Sequence, residues 1–221
     1  MNSLNLLTVE TLLCFITQIF LYKHYKTKGL YTYTVIALIL SCLMSLKTIS
    51  LYDYDVNLGI IPFISIFTSS NIIIQKQGSE ATKKLILTLI ATSLASYGMF
   101  YLIYLMEPSD INLFTSASYD NIFNDSLRMY FANIVTILYS LLLNSRLYYY
   151  LKKMKNNILI SNLFSSIIIQ FIASILFGLI AYTFIKEPID IIKIIMIRYL
   201  MSLIIGIVST IPIYITKKVT E

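Results

Sequence analysis

The residues able to do chemistry in this chain are amides, hydroxyls and one arginine, all set inside long apolar runs. Asn133, Thr136, Ser140 and Asn144 recur at helical spacing, and at 100° per residue they fall within about 80° of one another. Asn162, Ser165, Ser166, Gln170 and Ser174 make a second stripe, and Thr88, Thr92, Ser93 and Ser96 a third; these stripes can meet in one interior. Serine and threonine in such places let apolar helices approach and bond, at about 0.6 kcal/mol per bond and up to 1–2. An amide has several donors and acceptors to satisfy, so Asn144, Asn162 and Gln170 are also natural partners for the edge of a heterocyclic ligand. Arg198 is the one cation deep in an apolar run, where it anchors a substrate, braces the structure, or snorkels to the surface.

The missing residue types narrow the function classes. Apart from Asp190 at the very start of the last stretch, Glu10 is the only carboxylate inside an expected span, and the single histidine, His24, lies in a basic loop. Proton-coupled carriers relay protons through buried Asp, Glu or His, so such coupling is not expected. There is no HExxH, metal-ligand cluster, Gly-rich phosphate loop or Ser-His-Asp set, which argues against an enzyme and calls for no cofactor or metal. Cys14 and Cys42 both lie in apolar runs and read as small structural hydrophobes.

The elements that must hold these residues follow from composition. Of 221 residues, 57% are hydrophobic and 13% charged, with net charge +6 and mean hydropathy +0.78. A soluble domain carries about a quarter charged residues. The chain is therefore read as an all-α, polytopic membrane bundle, one integral membrane domain over 1–221, with no face for nucleic acid. Apolar stretches able to cross roughly 30 Å of hydrocarbon fall at 4–22, 30–49, 57–75, 85–106, 127–151, 158–185 and 189–215. The weakest is 57–75, with Pro62 and a polar end at Ser69, Ser70, Asn71 and Gln75; a re-entrant segment there would reduce seven spans to six. The first stretch has no basic n-region or small-residue cleavage site and reads as a span rather than a signal peptide.

Charge sets the orientation. Lys23, Lys26, Lys28, Lys76, Lys83, Lys84, Arg146, Lys152, Lys153, Lys155, Lys217 and Lys218 end or follow the odd-numbered spans, whereas Asp53, Asp55, Glu107, Asp110, Asp120, Asp125, Glu187 and Asp190 lie in the alternate loops, with only Lys47, Arg128, Lys186 and Lys193 at their edges. Cationic loops stay in the cytoplasm, which puts the N-terminus outside and the C-terminus inside. Tryptophan is absent and tyrosine is 18; Tyr22, Tyr25, Tyr31, Tyr33, Tyr52, Tyr148 to Tyr150 and Tyr214 near span ends suit an aromatic belt.

Four stretches in order resemble the queuosine precursor transporter family, also called the vitamin uptake transporter family: LYKHYKTKGLYTYTVIALIL, FTSSNIIIQKQGSEATKK, SLRMYFANIVTILYSLLLNSRLYYYLKK and ISNLFSSIIIQFIASILFGLIAY. Gly78, Arg128, Ala132, Ser140, Asn162, Ser165, Gln170 and Phe177 keep the family residue. The family's acids are replaced by Asn71, Gln75, Asn144 and Ala173, its glutamine by Leu141 and its arginine by Ser161. The resemblance implies import of a 7-deazapurine base such as preQ0, preQ1 or queuine across the bacterial inner membrane. On that reading Asn144, Asn162 and Gln170 hold the heterocycle edge with Ser140 and Ser165 beside them. Asn71 and Gln75 line the cytoplasmic end, Arg128 sits at the outer mouth or braces spans, and Phe177 stacks on the ring. The lost acids favour a neutral base. Two other readings stay open: a vitamin-binding subunit of an energy-coupling-factor type transporter, which needs an energising partner, and a scaffold whose polar stripes only join helices. Whether a second copy of the chain is needed is also open.

Overall fold

The computed structural model describes residues 3–51, 54–106, 116–155 and 157–217, without the side chains of Ser3, Tyr104, residues 116–126, Lys155 and Ile158. Tyr52, Asp53, Glu107, Asp110 and Lys218, together with the side chains of Asp120, Asp125 and Lys155, lie outside the described residues. The order is α1 (Ser3–Met44), β1 (Thr48–Leu51), β2 (Tyr54–Asn57), α2 (Ile60–Gln77), α3 (Glu80–Leu105), α4 (Ser116–Lys155), α5 (Ile158–Tyr182), α6 (Pro188–Val208) and α7 (Thr210–Lys217). Among the described residues, five helical stretches are long and apolar enough to cross a membrane: Leu4–Met44, Glu80–Ile103, Leu127–Met154, Leu159–Tyr182 and Pro188–Lys217. The chain is thus a largely helical, multi-pass membrane protein. Large apolar side chains such as Leu13, Ile16, Leu87, Leu94 and Phe164 point outward, as expected where lipid is the solvent.

The 42 residues of α1 would reach about 63 Å if straight, twice the hydrocarbon thickness. Instead the backbone breaks at Lys26 (φ 54°, ψ −140°), and the two halves fold back on each other. Gln18 in the first half bonds Ser69 of α2; in the second half Thr27 bonds Gln77 and Ser41 bonds Gly59. The first half therefore runs parallel to α2 and the second antiparallel to it. A Cβ at Gly29 would strike the Leu21 carbonyl, so glycine permits this tight return.

The expectation that the second span runs to residue 49 is corrected. The helix stops at Met44, and Thr48–Leu51 pairs antiparallel with Tyr54–Asn57, Thr48 opposite Asn57. Thr48, Ile49, Tyr54 and Val56 favour a pleated surface, a two-residue periodicity that an apolar count passes over. Asn57 secures the hairpin to α1 by donating to the Ser45 carbonyl (2.8 Å) and accepting from Gly59 N–H (3.0 Å).

The stretch with the weakest apolar signal forms the centre of the bundle. Every residue of α2 from Ile60 to Ile74 is buried, because α1, α3, α4, α6 and α7 all pack on it. Two of its hydroxyls bond carbonyls of the same helix, Ser65 donating to Pro62 O (2.7 Å) and Thr68 to Ile64 O (3.2 Å). The last expected span bends at Ser209 between α6 and α7, where Pro212 has no N–H to continue the ladder. α5 and α6 pack closely because Gly178 leaves room for the Ile195 side chain.

Candidate functional site

The three asparagines drawn from separate runs meet. Asn71 on α2 donates from Nδ2 to Oδ1 of Asn162 on α5 (2.7 Å) and accepts at Oδ1 from Nδ2 of Asn144 on α4 (2.7 Å). All three are at most 1% exposed. This chain of amides ties the central helix to two neighbours and leaves Asn162 Nδ2 without a partner among the described residues. One to two turns along α4, the Ser140 and Thr136 hydroxyls are buried and likewise unpartnered. On α5, Ser165 donates to the Asn162 carbonyl (3.1 Å) and Ser174 to the Gln170 carbonyl (2.8 Å), while Gln170 itself is 2% exposed. Gln75, one turn beyond Asn71, is half-buried with Oε1 unpartnered. These groups make a polar column inside the bundle.

Other expected members lie elsewhere. The third stripe does not join the column: Thr88, Thr92, Ser93 and Ser96 on α3 bond carbonyls of their own helix, the local alternative open to hydroxyls, and Ser96 also accepts from the Tyr130 hydroxyl on α4 (2.7 Å). Asn133 turns to α1 and donates to Ser41 O (2.8 Å) and Ser45 Oγ (2.6 Å), joining helices rather than facing the column. Arg128 donates from Nε to Ile180 O (3.1 Å) and from Nη2 to Thr183 O, so its charge closes the C-terminal end of α5, where free carbonyls attract cations. The aromatic belt is only partial. Tyr25, Tyr149, Tyr150 and Tyr214 are exposed, but Tyr22, Tyr33 and Tyr148 are buried, and Tyr31 donates to Ala81 O (3.0 Å).

Phe177 stands fifteen residues along α5 from Asn162, roughly 22 Å at 1.5 Å per residue. It therefore belongs to a second locus, near the hairpin. There Arg198 of α6 lies 3.8 Å from the Phe177 ring centroid and 5.0 Å from that of Phe63 on α2. Arg198 is 5% exposed and does not snorkel. Its Nη1 and Nη2 have no partner among the described residues. Arg198 lines a cleft of about 100 Å³ with Asp55, Asn57, Tyr182 and Lys186. The hairpin residues of this cleft gave no signal in the sequence, since their role depends on β1 and β2 folding over α6. Phe63 was hidden in an apolar run.

Among the described residues no group of three His, Cys, Asp or Glu side chains could hold a metal, and Cys14 and Cys42 are free thiols. The arrangement offers hydrogen bonds and ring faces for binding. No curated protein and no solved structure matches the chain. A family model described as "Putative vitamin uptake transporter" matches residues 57–216, from just before α2 nearly to the end of α7. That stretch contains the amide chain, the polar column and Arg198, and the protein belongs to the vitamin uptake transporter family.

Proposed function

We propose that the chain imports a neutral heterocycle, a 7-deazapurine base of the queuosine precursor type, across the bacterial inner membrane. The observation that carries this is the buried amide chain Asn71–Asn144–Asn162, continued by the unpartnered hydroxyls of Ser140 and Thr136. Helix association alone would be served by the two bonds present, one from α2 to each neighbour. Here three amides share two bonds, and a donor at Asn162 Nδ2 is left for another acceptor. With the amides closed on one another the column is in its resting arrangement, and a base edge replaces the amide-to-amide bonds when α2, α4 and α5 part. Gln75 and Gln170 extend the hydrogen-bonding surface on either side; Ser165 shapes it.

In this reading the two halves of α1, then α2, α3, α4, α5 and the α6–α7 pair make seven crossings. At 18 residues α2 is about 27 Å long, close to the hydrocarbon thickness. The lysine-rich turns around Lys26, Gly78 and Asn157 face the cytoplasm, and the hairpin faces outward. The test is to express the chain in bacteria lacking both precursor synthesis and their own carrier, supply preQ0, preQ1 or queuine, and measure queuosine in tRNA. Rescue is expected, most strongly with neutral preQ0. Absence of rescue with every precursor, at verified membrane expression, refutes the proposal.

A further inference from the structure

We infer that the cleft at the hairpin end is a second binding site, in which Arg198 grips a small molecule presenting two adjacent hydrogen-bond acceptors. Arginine this deeply buried ordinarily meets a carboxylate or several carbonyls, because an unmatched buried charge is strongly destabilising. Here both terminal nitrogens lack a partner among the described residues, although the side chain lies roughly 15 Å along α6 from Pro188 at 1.5 Å per residue. The guanidinium is held by ring contacts, 3.8 Å to Phe177 and 5.0 Å to Phe63, within the range of a cation–π attraction. Such contacts fix the plane of the fork and leave its N–H edge for a ligand.

Arg198 is one of the residues lining the cleft. Asn57 and Tyr182 supply further hydrogen-bonding groups, and Lys186 and Asp55 one charge of each sign, so with Arg198 the wall is net positive. A planar guanidinium matches two parallel acceptors. Two kinds of molecule carry such an edge: a carboxylate, or a purine whose lactam oxygen lies beside an unprotonated ring nitrogen, as O6 and N7 do in guanine. Phe177 adds a ring face next to the same point. This site is separate from the amide column, and its occupancy can be measured without transport, so its failure and failure of the uptake proposal are read in different assays.

The experiment uses the full chain purified in detergent, with ligand binding followed by thermal shift and calorimetry. The probes are nicotinate and benzoate for carboxylates, hypoxanthine for the lactam edge, and nicotinamide, benzamide and 7-deazahypoxanthine, which lacks N7, as controls without the paired acceptors. At least one paired-acceptor probe is expected to stabilise the wild type while its control does not; which arm responds identifies the source of the edge. Arg198→Gln should weaken that probe at least tenfold, and Arg198→Lys, which keeps charge but not the fork, nearly as much. Arg198→Met should bind nothing yet melt higher than the wild type without ligand, because it removes unmatched buried donors. Should Arg198→Gln and Arg198→Lys not fold, Phe177→Leu serves instead, and a loss of threefold or more is expected. The inference is overturned by no response from any paired-acceptor probe at millimolar concentration, by undiminished binding in Arg198→Gln or Phe177→Leu, or by a ligand-free Arg198→Met that melts lower than the wild type.

Discussion

Replacing Asn71 with alanine tests whether the three amides act as one unit. The substitution deletes two side-chain bonds of 2.7 Å and strands Asn144 Nδ2 and Asn162 Oδ1 in a region at most 1% exposed. Bonds between helices in a bilayer average about 0.6 kcal/mol with a maximum near 1.7. Two of them give about 1.2 kcal/mol, rising toward 3 if the stranded groups find no new partner. The decisive quantity is the coupling in the cycle of Asn71→Ala, Asn162→Ala and the double variant, because the second substitution has no bond left to remove once the first is made. A coupling of about 0.6–1.7 kcal/mol is expected. Unfolding in mixed micelles followed by circular dichroism measures it, with Asn133→Ala, whose partners are on α1, as an uncoupled reference. Additivity of Asn71 and Asn162 within about 0.3 kcal/mol would refute the reasoning.

Three further outcomes follow from the same geometry. Arg128→Ala should cost about 2 kcal/mol of stability, since two charge-assisted bonds to the end of α5 are lost; Lys at this position should recover less than half, as read from melting temperature. Asn71→Asp keeps the bond from Asn144, and a turn of the Asn162 amide supplies a second donor, so the carboxylate is held but buried. In the uptake assay it should lower preQ0 transport and raise the preference for cationic preQ1 at least fivefold, and an unchanged ratio would count against the link between the missing acids and substrate charge. In a background lacking Cys14 and Cys42, a cysteine at Lys186 should react with an impermeant maleimide on intact cells and one at Lys153 only after lysis; the opposite pattern would reverse the assigned orientation.

Polar residues in apolar runs were conspicuous in the sequence because burying them is costly, which is how Asn71, Asn144 and Asn162 could be picked out. Their bonding to one another was not legible. It depends on the register of α2 against α4 and α5, which no single helix encodes. Periodicity also could not separate the α4 and α5 stripes from the one on α3, since a hydroxyl bonded to its own helix carbonyl, as at Thr88 and Thr92, gives the same pattern as one facing a partner. Tyr22 and Tyr148 failed as belt residues for a related reason: proximity to a helix end fixes depth in the membrane but not which way the ring turns, and both are 0% exposed.

The largest divergence concerns α2, and its cause bears on function. Hydropathy measures fitness for lipid, yet a helix enclosed by protein on all sides is free to carry Ser65, Thr68, Ser69, Ser70 and Asn71, all buried: Ser65 and Thr68 bond their own helix, and Gln18, Asn144 and Asn162 on its neighbours bond Ser69 and Asn71 where lipid could not. The weak signal of 57–75 and the polar centre of the bundle are therefore one fact. α2 also joins both loci, presenting Phe63 to Arg198 near the hairpin and Asn71 to Asn144 and Asn162 farther along. The eight residues between them span roughly 12 Å. Any movement of α2 along its axis must disturb the arginine stack and the amide chain together, which makes this helix the element through which occupancy of one site would be felt at the other.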